Sequence, residues 1–206
     1  MQVSIKNIAI SLVLLLVVIG LVKWCQLSGE VRYGPGVFAP DEPQQELLSG
    51  SDSFLFNDYN LTPVANFDVH ARVLSRRDYS RDRESDLSPI DLALGWGPMS
   101  DESIIGQIQI RQAARFYMWR ARELPISRNQ IDHNSSNMHL IPASPEIERA
   151  MKRVRKGDLV QFRGKLVNAE SADGWRWRTS TSRTDTGSGA CELVFVEEFE
   201  IVTPDL

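Results

Sequence analysis

The side chains best suited to chemistry are concentrated near the carboxyl end of the chain, in Arg176–Glu192 (RWRTSTSRTDTGSGACE). In this segment serine and threonine hydroxyls surround Arg178, Arg183 and Asp185, and two glycines indicate a turn. Arginines flanked by hydroxyls can bind an anion or another polar ligand through hydrogen bonds. The same residues can also form a structural turn in which Asp185 accepts from a nearby backbone amide. Both interpretations stay open at this point.

His139 is a second candidate, and it lies in Asp132–Ala143 (DHNSSNMHLIPA) together with His133. A separation of six residues does not bring two side chains to one face of a helix, and the polar run between them interrupts a strand. We therefore expect no metal site, although histidine is a common zinc ligand. The nearby serines are not in a Gly-x-Ser-x-Gly turn, so they do not indicate a nucleophile. The predicted ligand-binding residues are Arg178, Arg183, Asp185 and His139, with no catalytic residue and no cofactor.

Length and composition exclude several classes of protein. The chain has 206 residues, of which 42% are hydrophobic and 24% charged, and this suits one folded domain with a tail. Its 23 basic and 27 acidic residues give a net charge of −4, unlike a polybasic nucleic-acid binder. Two cysteines are too few for a disulfide-rich scaffold or a four-cysteine zinc site. No phosphate-binding loop or dinucleotide-binding glycine pattern is present in the sequence.

The amino-terminal segment is the strongest signal of location. Ile8–Val22 has fifteen residues without a charge, which is short for a hydrocarbon layer of about 30 Å, so a secretory signal peptide competes with an anchor. Including Lys23, Trp24 and Cys25 extends the run to the lower limit for a span. Small residues of a cleavage site do not follow the run. We predict that residues 1–25 form an uncleaved signal anchor.

The predicted topology follows from the short positive leader. Lys6 and the amino terminus precede the apolar run, whereas Lys23 and Arg32 follow it, so the charge bias is small. We expect the amino terminus inside and the rest of the chain in the periplasm or outside the cell, as a single-pass inner membrane protein. A domain in this position is not expected to bind nucleic acid.

The remaining chain divides into a linking segment and a domain. Residues 26–62 are rich in proline, glycine and acidic residues, which predicts a tether or a draped loop. The short apolar stretch Phe54–Phe56 could dock onto the domain. The domain itself is predicted to span 63–206, outside the cytoplasm, and the number of copies in the assembly stays open.

The domain has the pattern of a small β protein with one clear helix. Alternating apolar residues from Phe67 onward predict a strand, and a run of short β-like segments follows Leu159. The helix is predicted over Pro145–Lys156, with Ser144 as its N-cap. A glycine at 164 predicts a bulge that bends the sheet. Together these features favour a small antiparallel OB-like barrel or curled sheet, preceded by the transmembrane helix.

Several motifs resemble those of a family of small membrane-anchored or exported bacterial proteins to which no activity is assigned. They are Trp96-Gly97, Asn137–Ala143, Gly157–Val160, Gly164–Val167 and Thr179–Glu192. The last of them, a TSTxRxDTGxGACE-type motif, is the most specific. The similarity covers about Phe67 to Ile201. It implies a location in the cell envelope and an extent for the domain, and it assigns no catalytic residue.

Two functional hypotheses result. The first is a membrane-tethered envelope domain that binds a protein partner or a polar ligand without catalysing a reaction. The alternative is an envelope hydrolase whose site draws on Arg178, Arg183, Asp185 and His139. An enzyme requires these four side chains to converge in one pocket, whereas a structural turn does not.

Overall fold

A computed structural model of the chain describes residues 29–182 and 191–204, together with Leu14, Leu15 and Val18. The chain divides into two compact units, Met1–Glu30 and Val31–Leu206. In the first unit Leu14, Leu15 and Val18 are helical, and their side chains are more than half exposed. Within the described residues, none of the helices has the length and apolar character needed to cross a bilayer. Most of the predicted anchor lies outside the described residues, so the anchor stays a prediction.

The second unit is mostly β. Its strands are β1 (Gln44–Leu47), β2 (Phe54–Phe56), β3 (Tyr59–Asp78), β4 (Ile90–Gly95), β5 (Ile108–Ala113), β6 (Phe116–Ala121), β7 (Ser135–Pro142), β8 (Leu159–Ser171), β9 (Arg176–Trp177) and β10 (Glu192–Val202). Three short α-helices lie between them in the described part, α1 (Glu102–Ile105), α2 (Arg128–His133) and α3 (Pro145–Met151), with 3₁₀ turns at Arg83–Asp86 and Gly97–Ser100. The β-rich character predicted from the sequence is confirmed.

Five strands pair in a closed ring. β3 pairs antiparallel with β4, β4 with β7, β10 with β8, and β8 with β3, while β7 and β10 pair in parallel. β1 and β2 add to β3, β9 adds to β8, and β5 and β6 form a separate hairpin. The sheet is therefore curled, as predicted. The ring has no edge among these five strands, which removes the exposed backbone groups that make open sheets prone to aggregation.

Register shifts allow the long strands to bend around the ring. β3 shifts register between Pro63 and Ala65 where it pairs with β8. β10 shifts between Val196 and Glu198, directly beside Gly164 of β8. A Cβ atom at Gly164 would overlap the carbonyl oxygen of Phe195, so only glycine allows the two strands to approach there. The bulge predicted at Gly164 thus lies in the partner strand.

Alternation along the strands divides the apolar side chains between the inside and the outside of the ring. The interior holds the largest cluster, with Phe67, Leu92, Leu140 and Phe162 among its buried members. Two further clusters cover the outer surface. One lies under the β5–β6 hairpin and includes Ala93, and the other lies under β2 and two tryptophans. The candidate site occupies the seam between these two outer clusters.

The helix predicted over Pro145–Lys156 is present but ends at Met151, whose side chain is buried. Its N-cap is Ser144, the hydroxyl of which accepts from the Ile147 amide at 3.4 Å. After Met151 the chain forms turns instead of helix. Gly157 adopts a φ of 90°, and a Cβ there would overlap the carbonyl oxygen of Val31. The helix is shorter than predicted because this close approach replaces its last turn.

The segment 26–62, predicted as a tether or draped loop, contains ordered structure from Val31 onward. The Glu102 carboxylate accepts from the amides of Tyr33 and Gly34, both at 3.0 Å. β1 and β2 follow, and β3 already begins at Tyr59, four residues before the predicted domain start. Leu61 is fully buried in an outer cluster. Some apolar side chains of this segment, among them Ala39 and Leu61, are therefore buried even though its composition resembles that of a linker.

Candidate functional site

The centre of the candidate site is a buried acid–base pair on the outer face of the ring. Asp91 of β4 and His139 of β7 are direct cross-strand neighbours. Asp91 is fully buried and His139 is 4% exposed. The His139 Nδ1 atom lies 2.9 Å from the Asp91 Oδ2 atom, which is within ion-pair distance. The angles between the two groups are not those of a hydrogen bond, so the contact depends on charge and distance.

The alternation of the two strands explains why these polar side chains point outward. Ile90 and Leu92 fill the interior of the ring, which directs Asp91 to the opposite face. Met138 and Leu140 do the same for His139. The site therefore depends on the strand period of two and on the register of one strand pair.

Arg115 completes the pair from the turn between β5 and β6. Its backbone has a φ of 67°, an uncommon left-handed conformation for a residue other than glycine. Its Nη1 atom donates to the Asp91 Oδ1 atom at 2.7 Å and to the Ser88 carbonyl oxygen at 2.9 Å. Its Nε and Nη2 atoms both donate to the Asp82 carboxylate at 2.9 Å. One guanidinium thus joins the β3–β4 loop to the outer face of β4.

We call Asp82, Asp91, Arg115 and His139 the buried charge cluster. Hydrogen bonds from Arg115 hold the pKa of Asp82 below its usual range. Burial opposes the charged form of Arg115, but the hydrogen bonds that it donates to Asp82 and the negative charge of Asp91 outweigh this effect and raise the pKa of Arg115. Two carboxylates thus face one guanidinium, and the His139 Nδ1 atom lies beside one of them.

Aromatic rings enclose the cluster. The Arg115 guanidinium lies over the Tyr79 ring, 3.8 Å from its centroid, and 5.7 Å from the centroid of Trp177. The His139 ring packs against Trp177 with 4.8 Å between centroids. Burial raises the pKa of Tyr79 above its usual value. These rings exclude water and strengthen the charge interactions beneath them.

The two ends of the hydroxyl-rich segment identified in the sequence lie beside this cluster. The amide of Ser180 donates to the Cys191 carbonyl oxygen at 3.1 Å, which closes the base of the loop between them. The Asn137 Nδ2 atom donates to the Arg115 carbonyl oxygen at 3.2 Å and lies 3.9 Å from the Cys191 sulfur. Residues 183–190, which include Arg183 and Asp185, lie outside the described residues.

The two predicted residues that are described belong to different contacts. His139 lies in the buried charge cluster. Arg178 has a side chain that is 56% exposed, and its Nη2 atom is 2.8 Å from Glu170. Arg176 contacts the same Glu170 carboxylate at 3.7 Å. Arg178, just after β9, therefore forms its ion pair with Glu170, and this contact does not include His139.

Three members of the cluster, Asp82, Asp91 and Arg115, were not predicted. The charges around Asp82 cancel along the sequence, and this pattern indicates a solvated loop first and a binding loop second. Asp91 did carry a signal, because it is the one charged residue in the apolar run IDLALGW. Arg115 follows an alanine between two strand patterns, and nothing in its neighbours indicates a buried partner. A search for lone charges in apolar strands would have found Asp91.

The other histidines and acids do not form a metal centre. Across residues 29–182 and 191–204, there is no group of three or more metal-ligating side chains placed to hold an ion. His133, which the sequence places near His139, is half-buried at the end of α2 and contacts the Asn129 carbonyl oxygen.

No family model, no curated protein and no solved structure matches this chain. The family resemblance drawn from the sequence motifs therefore stays a prediction.

Proposed function

We propose that the chain is a membrane-tethered envelope protein whose OB-like barrel binds a polar ligand or the polar surface of a protein partner on the outer face that covers the buried charge cluster. In chain order the ring strands are β3, β4, β7, β8 and β10, and α3 lies between the third and the fourth. This order and the parallel pairing of β7 with β10 support an OB-like barrel.

The position of the cluster carries the proposal. OB folds bind ligands on the face of their second and third strands, between the loop that joins strands one and two and the loop that joins strands four and five. Here the corresponding strands are β4 and β7, which supply Asp91 and His139. The corresponding loops supply Asp82 and the segment that starts at Ser180. Buried polar residues are unusual on an outer barrel face, and they coincide with the face used for binding.

The arginines of β9 and of the segment after it, outside the buried charge cluster, favour a ligand with acidic groups. Arg176 and Arg178 share one carboxylate, that of Glu170, and this leaves one positive charge in excess. The sequence adds Arg183 and a series of hydroxyl groups in the same loop. Guanidinium and hydroxyl groups bind carboxylates and phosphates through directed hydrogen bonds.

The tether is supported by the amino-terminal sequence and by the few residues described there. Leu14, Leu15 and Val18 are helical and exposed, as side chains that face lipid would be. Cell fractionation with protease protection tests the location. We expect the full chain in the membrane fraction, cleaved by protease added from the periplasmic side. A soluble product that starts near Glu30 would overturn the anchor.

Binding can be tested with defined probes on the full chain in detergent. We expect citrate, inorganic phosphate or a polyglutamate peptide to raise the melting temperature. His139→Gln should remove the shift for the same probe, while Arg163→Gln should retain it, because Arg163 is exposed on β8 and pairs with Asp68. A shift that persists in His139→Gln, or no shift with any of the three probes, would contradict an acidic ligand at this site.

The Asp91–His139 pair also favours a second candidate, the envelope hydrolase. A buried carboxylate close to a histidine Nδ1 atom places a negative charge beside the ring, whose other nitrogen could act as a general base. Hydrolysis of p-nitrophenyl acetate by the full chain, lost in both His139→Gln and Asp91→Asn, would support this candidate. Equal rates for the parent and both variants would exclude it in favour of binding alone.

A further inference from the structure

The β5–β6 hairpin has an inner and an outer face with different chemistry. Its inner face packs on the barrel through Ile108, Ile110, Tyr117 and Trp119. We call the opposite side the hairpin face, and its residues are Gln109, Arg111, Ala113, Phe116, Met118 and Arg120. The hairpin face is exposed throughout and makes no contribution to the clusters of the core. Packing in the core therefore does not explain which residues form the hairpin face.

Large apolar side chains are exposed at the centre of this face. Phe116 is 44% exposed and Met118 is 51% exposed, and both lie on β6 with the same orientation. Leu124, just after the strand, is 52% exposed. Neighbouring exposed apolar groups of this kind indicate a surface that contacts another apolar phase or molecule.

Arginines without acidic partners surround these apolar side chains. Arg111 lies directly across from Met118 in the strand pairing. Arg120 donates to the neutral Gln109 side chain at 2.7 Å, and Arg122 is exposed just beyond the strand. Among the described side chains, no carboxylate forms an ion pair with Arg111, Arg120 or Arg122. This surface is positively charged on a chain whose net charge is −4.

We propose that the hairpin face lies on the surface of a bilayer that contains anionic lipids. Lipid phosphates accept hydrogen bonds from Arg111 and Arg120, and Phe116 and Met118 enter the boundary between headgroups and acyl chains. Complementary charge selects an anionic partner, and the central apolar pair selects one with an accessible hydrocarbon layer. The proposed tether serves only to keep the bilayer within reach, and the contact itself is independent of the ligand at the buried charge cluster.

Fluorescence quenching tests the contact in the full chain. The variant Met118→Trp is reconstituted in nanodiscs whose lipids carry bromine near the headgroup end of the acyl chains. We expect its added fluorescence to be quenched in discs that contain phosphatidylglycerol, and less so in discs of phosphatidylcholine alone. Adding Arg111→Glu and Arg120→Glu should remove the quenching. Arg77→Glu with Arg153→Glu is the matched control, since both arginines are exposed elsewhere and the charge change is the same.

Each outcome decides the proposal. Unquenched fluorescence in phosphatidylglycerol discs, or quenching that persists in the Arg111→Glu, Arg120→Glu variant, would overturn it. Equal quenching in both lipids would overturn the role of the arginines. If the hairpin face instead binds an acidic protein segment, the quenching is absent while the two glutamate substitutions still abolish function in cells. Because the hairpin face is exposed, equal melting temperatures for all variants are expected and serve as the folding control.

A failure of the tether is distinguished by a second measurement. A chain that does not enter nanodiscs through its amino terminus is mixed with preformed vesicles and sedimented. Loss of about tenfold or more in binding to phosphatidylglycerol vesicles on Arg111→Glu with Arg120→Glu, as expected for two basic residues at an anionic surface, supports the hairpin contact without a tether. No binding of the parent chain to these vesicles would overturn it.

Discussion

Replacement of Arg115 by methionine isolates the contribution of the buried charge cluster to stability. Methionine retains most of the aliphatic stem but removes every donor of the guanidinium. Asp91, which is fully buried, would then retain only His139 and the Ser88 hydroxyl, which donates to it at 3.4 Å. Asp82 would lose both of its hydrogen bonds from Arg115. The substitution thus leaves a carboxylate in the protein interior with most of its compensation removed.

The expected cost follows from the burial of Asp91. Breaking a buried ion pair by removing one partner typically costs about 3–5 kcal/mol, because the remaining charge cannot return to water. The His139 ring still lies against the Asp91 Oδ2 atom, so we expect the lower end of this range, about 3 kcal/mol. With a urea slope of roughly 2 kcal/mol/M, the midpoint of unfolding should fall by about 1.5 M.

Urea unfolding of the full chain in detergent, followed by tryptophan fluorescence, measures this change. Arg163→Met is the matched control, because Arg163 forms its ion pairs at the surface with Asp68 and Glu198. We expect its midpoint to match that of the parent. The double variant Arg115→Met, Asp91→Asn should lose less stability than the sum of its single changes, with a coupling of about 1–3 kcal/mol.

Two results would refute this reasoning. The first is an equal midpoint for Arg115→Met and Arg163→Met, which would mean that the cluster is not energetically buried. The second is strict additivity in the double variant, which would mean that Asp91 does not depend on Arg115 for its charge compensation.

Four further predictions follow from other parts of the fold. The pKa of Asp82 is lowered by Arg115 in the folded state, so its stabilisation is present above the usual aspartate pKa and is lost as the pH falls through the folded value; acid unfolding of Asp82→Asn should therefore depend less on pH than that of the parent. Glu102→Gln should weaken the hold on the amides of Tyr33 and Gly34, which hydrogen exchange will detect as faster exchange there than in the parent. Gly164→Ala should prevent cooperative thermal unfolding, because its Cβ would overlap the neighbouring strand, and a normal melting curve would argue against that close approach. Removing residues 1–28 should leave a domain that melts cooperatively, whereas removing 1–62 should yield aggregate in size-exclusion chromatography, since Leu61 is part of a core cluster.

Local patterns in the sequence identified the elements whose signals are short-range. The alternation that begins at Phe67 marks β3, and Ser144 with Pro145 marks the start of α3, because strand period and helix capping depend only on neighbouring residues. The residue at which α3 ends could not be predicted from such local patterns. It depends on the approach of Val31 to Gly157, two residues that are far apart in the chain.

The candidate site shows the same division. His139 and the hydroxyl-rich segment could be selected from residue type alone, since histidine, arginine and hydroxyl groups have chemistry of their own. The arrangement of the site could not be predicted in this way. Asp91, Arg115 and His139 lie on β4, the β5–β6 turn and β7, which meet only when β4 pairs with β7 and the hairpin folds over them. Composition and local pattern therefore determined that this is a β-rich domain with a polar segment near its carboxyl end. Strand register and long-range packing alone decided which charges are buried together, because the burial and pairing of a charge depend on neighbours that no local stretch of sequence contains.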